Sequence, residues 1–220
     1  HYNLGLTLQE LNQLDDAVKS YLKALTIKSD YAEAYNNLGV TLKDLDQLEE
    51  AVKCYEKALI IKPDYPEAHN NLGNALKNLG RLSKAVECFE RMLTIDPDNA
   101  EGHNNLGNTL YVLGQPNAAG KSYMKALAIE PDYAEAHNNL GITLNELGRF
   151  EDAEASYNRA LAIAPHFPEA YSNLGDLLTD LKRLDEALVS YETAFNLKPD
   201  IIFLLGKLLH TKMHLCLWDD

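Results

Sequence analysis

With three cysteines and one tryptophan in 220 residues, this chain cannot be a disulfide-stapled scaffold. Cys54 and Cys88 share one column of a repeat in which other copies carry Ser20, Ser122, Ser156 and Ser190. Neighbouring repeats stack roughly 10 Å apart, beyond disulfide reach. Half-buried free thiols are expected, and they suit a reducing, cytoplasmic setting. Cations are also in short supply. Twenty Lys and Arg face 33 Asp and Glu, for a net charge of −13. Such a surface repels phosphate backbones and anionic lipid, so neither nucleic acid nor a membrane is expected as a partner. A protein or peptide partner, a basic or neutral extended segment, is easier to accommodate. No run is long and apolar enough to span a bilayer, and no signal peptide or Asn-x-Ser/Thr sequon is present. The chain starts at His1, inside a repeat, which suggests a piece of a longer polypeptide.

What is abundant is repetition. Asn-Leu-Gly stands at residues 3–5, 37–39, 71–73, 105–107, 139–141 and 173–175, a constant step of 34. A fixed period of this size marks a solenoid, in which each unit buries its apolar face on its neighbours. In the second copy, Tyr35, Leu38, Gly39 and Leu42 form one helical stripe. Leu48, Ala51, Val52, Tyr55, Ala58 and Leu59 form another. Asp46-Gln47 separates them, and Gly80, Gly114 and Gly148 occupy the Asp46 column in later copies, where a helix C-terminus needs positive φ. Pro63, Pro97, Pro131, Pro165 and Pro199 end the second helices. The unit is an antiparallel helix pair.

The order Leu-Gly, Ala, aromatic, Ala and Pro resembles the tetratricopeptide repeat family over residues 1 to about 201. One departure is the first aromatic column, which reads Tyr35, His69, His103, His137 and Tyr171. The resemblance implies an all-α, right-handed α-solenoid superhelix of helix-turn-helix units. Six repeats fill residues 1–201, the first incomplete, and an apolar helix over 202–217 caps the array or leads into further chain. By the same resemblance, first helices line a concave groove. The stripe there is Glu33, Asn37, Val40 and Asp44, and it returns with Asn71 and Asn74, Asn105 and Asn108, Asn139, and Asn173 and Asp176. Asn is a mediocre helix former, so its persistence at one helical site needs a reason. One reading is a ladder of amides that binds the backbone of an extended peptide. The other is a set of hydrogen bonds bridging successive repeats.

Enzymatic chemistry finds no footing. Gly114 to Ser122 approximates a phosphate loop, but five residues separate its glycines where four are needed, and no strand precedes it. His69, His103 and His137 lie one repeat apart, too far to share a metal, and read as packing residues. His210 and His214 have ligand spacing on a helix, but only Cys216 offers itself as a third ligand. No nucleophile, base and acid assemble. No metal, no cofactor and no catalytic residue are expected in this segment.

Two irregularities stand out. Met92 and Gly102 replace alanines in adjacent columns, a compensation of volume, and Pro116 and Gly120 follow in the next second helix. A softer joint between the third and fourth repeats is expected there. The last helix is too apolar for a solvated cap, through Leu205, Leu208, Leu209 and Leu215. It is expected to pack on further chain or to mediate head-to-tail self-association. The Asn columns and the ending Cys216-Leu217-Trp218-Asp219-Asp220 also resemble the repeat region of O-GlcNAc transferase-like (SPINDLY-like) glycosyltransferases. That resemblance implies a substrate-recognition arm, with Asn37 through Asn173 holding the acceptor polypeptide.

Overall fold

Each Leu-Gly segment folds as the first helix of a pair, and each Ala-aromatic segment as the second. The computed structural model describes residues 1–199 and 203–216, and the chain divides into two compact units. In the first, His1–Gly114, helices run α1 Tyr2–Glu10, α2 Leu14–Ile27, α3 Ala32–Asp44, α4 Leu48–Ile61, α5 Pro66–Asn78, α6 Leu82–Ile95 and α7 Ala100–Val112. In the second, Gln115–Asp220, they run α8 Pro116–Ile129, α9 Ala134–Glu146, α10 Phe150–Ile163, α11 Pro168–Asp180, α12 Leu184–Leu197 and α13 Leu204–His214. The described residues form no strand. The architecture is an all-α solenoid of helix pairs. Within each unit successive helices pack in order, α3 on α4 and α4 on α5, α9 on α10 and α10 on α11.

The turn inside each pair is a backbone device. Asp46, Gly80 and Gly148 have φ of 61°, 71° and 72°. That left-handed residue lets the next amide reach back, so that Gln47 N–H donates to Leu42 C=O at 2.8 Å and Arg81 N–H to Leu76 C=O at 2.8 Å. Carbonyls at the helix end are thereby satisfied. Pro66, Pro116 and Pro168 open helices at their first position, where a missing N–H costs nothing.

The core depends on rings seated on glycine. A Cβ on Gly39 would lie 2.6 Å from Tyr55 Cε1, on Gly141 2.6 Å from Tyr157 Cε1, and on Gly73 2.8 Å from Phe89 Cε1. These rings are buried, as are Ala51, Ala85, Ala153 and Ala187, where the paired helices cross. The Met92–Gly102 compensation is visible as well. Met92 is buried, and a Cβ on Gly102 would meet its Sδ at 2.7 Å. Gly120 is different, because the nearest side-chain atom to its Cβ would be Thr143 Cγ2 at 3.7 Å. Cys54 and Cys88 are half-buried free thiols, and burial pushes both above the usual thiol range.

The last helix, expected over 202–217, runs from Leu204 to His214; residues 202 and 217 lie outside the described residues, as does the rest of the Leu217–Asp220 ending. It buries Leu204, Leu208 and Thr211 and leaves Leu205, Leu209 and Met213 exposed. Leu209 stands in the glycine column, 34 residues after Gly175.

Two substitution pairs follow from this packing. Gly141→Ala is expected to lower stability by about 1–3 kcal/mol through its clash with Tyr157. Gly120→Ala should raise it by about 1 kcal/mol, the difference in helix propensity. Thermal melts of the two variants check the opposite signs. The second pair concerns hydroxyls. Tyr21 OH donates to Gln9 Oε1 at 2.9 Å, whereas the buried Tyr55 OH has no hydrogen-bond partner among the described residues. Chemical denaturation should show Tyr21→Phe costing about 1 kcal/mol and Tyr55→Phe neutral or stabilising.

Candidate functional site

The first-helix stripe is half-exposed, and its amides are already at work. Within the first unit, Asn71 Nδ2 donates to Asn36 Oδ1 of the preceding repeat at 3.0 Å. Asn105 Nδ2 donates to Asn70 Oδ1 at 3.2 Å, and Asn37 Nδ2 to the Tyr2 hydroxyl at 2.9 Å. Within the second unit, Asn173 Nδ2 donates to Asn138 Oδ1 at 2.9 Å. The bridging geometry is therefore real, and it is compatible with the ladder reading. A primary amide has two hydrogens and an oxygen with two lone pairs, so one donated hydrogen leaves further capacity while fixing the rotamer.

The acceptors are the residues that sequence reasoning passed over. Asn36 and Asn138 are buried and Asn70 is half-buried. The signal was in plain view as doublets, Asn36-Asn37, Asn70-Asn71, Asn104-Asn105 and Asn138-Asn139. In the first unit, Asn36 and Asn70 lie in the seams, and Asn71 and Asn105 reach back to them. Asn36 Nδ2 and Asn138 Nδ2 also approach Asn37 Oδ1 and Asn139 Oδ1 at 3.4 and 3.5 Å.

The remaining predicted residues divide. Asn74 donates within its own helix to Asn70 Oδ1 at 3.5 Å, so it supports the acceptor column. Asn108 and Asn139 are half-buried on α7 and α9. Asp176 is heavily engaged. It accepts from Tyr191 OH at 2.8 Å and from Lys207 Nζ at 2.6 Å. Lys207 stands 34 residues after Asn173 and bridges back to Ser172 Oγ at 3.4 Å, continuing the column with a charged group. A cavity of about 620 Å³ opens beside them, lined by Asp180, Phe203, Gly206 and His210 among others.

Around Asn71 the surface is acidic. A cavity of about 360 Å³ is lined by Glu67, Asn70, Asn71, Asp96, Asn99 and Glu101 together with Pro66 and Met92, with no Lys or Arg. Tyr65 sits in the same unit, and burial, reinforced by Glu67 and Glu33, pushes its phenol up to about 12. It stays protonated across physiological pH and keeps a hydrogen to donate.

The histidine column has a packing role. His69, His103 and His137 donate Nε2–H to the carbonyls of Pro63, Pro97 and Pro131 at 2.9, 3.0 and 3.0 Å. Each ring thus ties the start of a first helix to the end of the preceding second helix. His210 Nε2 and His214 Nε2 face each other at 3.2 Å, and among the described residues no three His, Cys, Asp or Glu side chains gather to hold a metal. Residues 116–122 are helical, so the glycine pair at Gly114 and Gly120 forms no phosphate loop. No helix among the described residues is long and apolar enough to cross a membrane.

Comparison with known proteins agrees with this architecture. The family described as TPR repeat matches residues 5–46 and 41–80, and families described as tetratricopeptide repeat match 66–99, 98–166 and 144–201. No curated protein sequence matches the chain. Among solved structures, PilF of Pseudomonas aeruginosa is similar with a TM-score of 0.81 at 19% identity, covering 97% of this chain and 95% of PilF. TTC0263, a thermophilic TPR protein of Thermus thermophilus, reaches 0.66 at 28% identity, covering 83% of this chain and all of its own. YrrB, a TPR protein with an unusual peptide-binding site, reaches 0.70 at 24% identity over 86% of this chain and 97% of its own. From the 34-residue period, the ring-on-glycine packing and these matches together, the chain belongs to the tetratricopeptide repeat family.

Proposed function

We propose that the chain is a non-catalytic protein-interaction scaffold whose first-helix face holds an extended polypeptide, with Asn37, Asn71, Asn105, Asn139 and Asn173 as the backbone-reading residues. The observation that carries this is the inter-repeat amide bridge. It holds Asn71, Asn105 and Asn173 each in one rotamer before any ligand arrives. Rigid, pre-set polar groups lose little entropy on binding. On Asn71 and Asn173 the second amide hydrogen and the carbonyl lone pairs match a peptide backbone, which alternates donors and acceptors, whereas Asn105 also donates to Glu101 Oε1 at 3.5 Å. The carboxylates around Asn71 favour a basic or neutral segment over an acidic one. Asn74 and Asn108 flank the row, and Asp176 acts through its bond to Lys207 as the edge of the site.

Under the same reading, the acceptor-holding arm of an O-GlcNAc transferase-like enzyme is one concrete setting, resting on the Asn columns. Head-to-tail self-association is a second reading. It is favoured by the exposed Leu205, Leu209 and Met213 on α13.

The test combines stability with binding. Asn71→Ala removes a donor from the buried Asn36 oxygen, and Asn173→Ala does the same to Asn138, so each should cost about 1–2 kcal/mol. At temperatures where the variants remain folded by circular dichroism, fluorescence anisotropy is read with extended neutral, basic and acidic peptides. The scaffold reading expects neutral and basic peptides to bind, and Asn71→Ala with Asn105→Ala to weaken them about tenfold or more. Unchanged affinity in the folded double variant would confine the amides to a structural role.

A further inference from the structure

The second-helix face of the second unit carries a hole and a knob side by side. Gly120 belongs to a column that reads Val18, Val52 and Val86 in the earlier repeats. Its missing side chain leaves a notch of about 380 Å³, floored by Leu140, Leu144 and Leu147 of α9 and walled by Ala155 of α10. Leu140 and Leu144 are less than a tenth exposed and make the floor apolar, while Asn117, Lys121, Arg149, Asp152 and Ser156 also line the notch. One turn along α8, Met124 lines the same notch and is 51% exposed.

A surface with its own knob next to its own hole is self-complementary about a two-fold axis, because each copy offers what the other lacks. Charge agrees with that placement. Helix α8 carries Lys121 and Lys125 and no acid, whereas the start of α10 carries Glu151, Asp152 and Glu154. Arg149 binds Asp152 at 2.6 Å and Arg183 binds Glu154 at 2.6 Å, which leaves Glu151 as the carboxylate for an incoming lysine. A two-fold that seats Met124 in the partner's notch brings α8 over the partner's α8 and α10, the helices that line it, with Glu151 at the α10 side. Methionine suits the task, being unbranched and adaptable to an irregular hole.

We propose that the chain pairs with a second copy of itself through this face, Met124 of each copy filling the Gly120 notch of the other. One knob per copy makes a small contact, so the dimer is weak and reversible. The surface is distinct from the apolar stripe of α13.

Sedimentation equilibrium on the full chain tests this. Mass should rise from 24.6 kDa towards twice that value as concentration increases. Gly120→Val restores the side chain of the column and fills the hole. It should melt no lower than the parent yet raise the dimer dissociation constant about tenfold or more. Met124→Ala removes the knob and should weaken the dimer comparably, whereas Leu209→Lys on α13 should leave it unchanged. A mass that stays at 24.6 kDa at every concentration overturns the proposal. So does association that survives both Gly120→Val and Met124→Ala.

Discussion

The core of this chain hangs on an aromatic ring seated against a residue without a side chain. Gly39 under Tyr55, Gly73 under Phe89, Gly141 under Tyr157 and Gly175 under Tyr191 are the same contact repeated. It draws the paired helices close enough for Ala51, Ala85, Ala153 and Ala187 to be wholly buried. Because interiors are close-packed, that contact tolerates little change in volume on either side. Where the pattern is broken, at Met92 and Gly102, the loss on one residue is matched by gain on the other.

A fixed helix spacing has a consequence at the surface. When repeats stack identically, identical side chains recur at identical intervals, and Asn71 meets Asn36 as Asn105 meets Asn70. The amides that bridge repeats are the ones we propose read a backbone, and in that reading folding and recognition share one set of hydrogen bonds. The histidine-to-proline bonds work alongside them, tying His69 to Pro63 and His137 to Pro131. In that reading the face depends on the core behind it, which sets the spacing of the repeats.

Much of this was legible in the sequence. The helix pairs, the Asp46 and Gly80 turns and the packing role of the histidines all followed from a period of 34 and from residue size. The site was half legible. The stripe residues we propose as a ladder could be named, but their hydrogen-bond partners one repeat back could not, because Asn36 and Asn37 look alike in sequence and differ in burial. Asp176 shows the same limit. Its place in the stripe followed from spacing, whereas its bonds to Tyr191 and Lys207 come from helices α12 and α13. The notch beside Gly120 was hidden for another reason. A glycine in a valine column reads as irregularity until the neighbouring Leu140 and Thr143 are seen not to fill the gap.

The measurement that bears most directly on the central contact is a double-mutant cycle between Gly39 and Tyr55, read by chemical denaturation. If the ring is what excludes a side chain, Gly39→Ala destabilises strongly with Tyr55 present and little with Tyr55→Leu, a coupling of about 1–3 kcal/mol. Equal losses in both backgrounds would mean that something other than the ring keeps residue 39 a glycine, and the account of the core would fail.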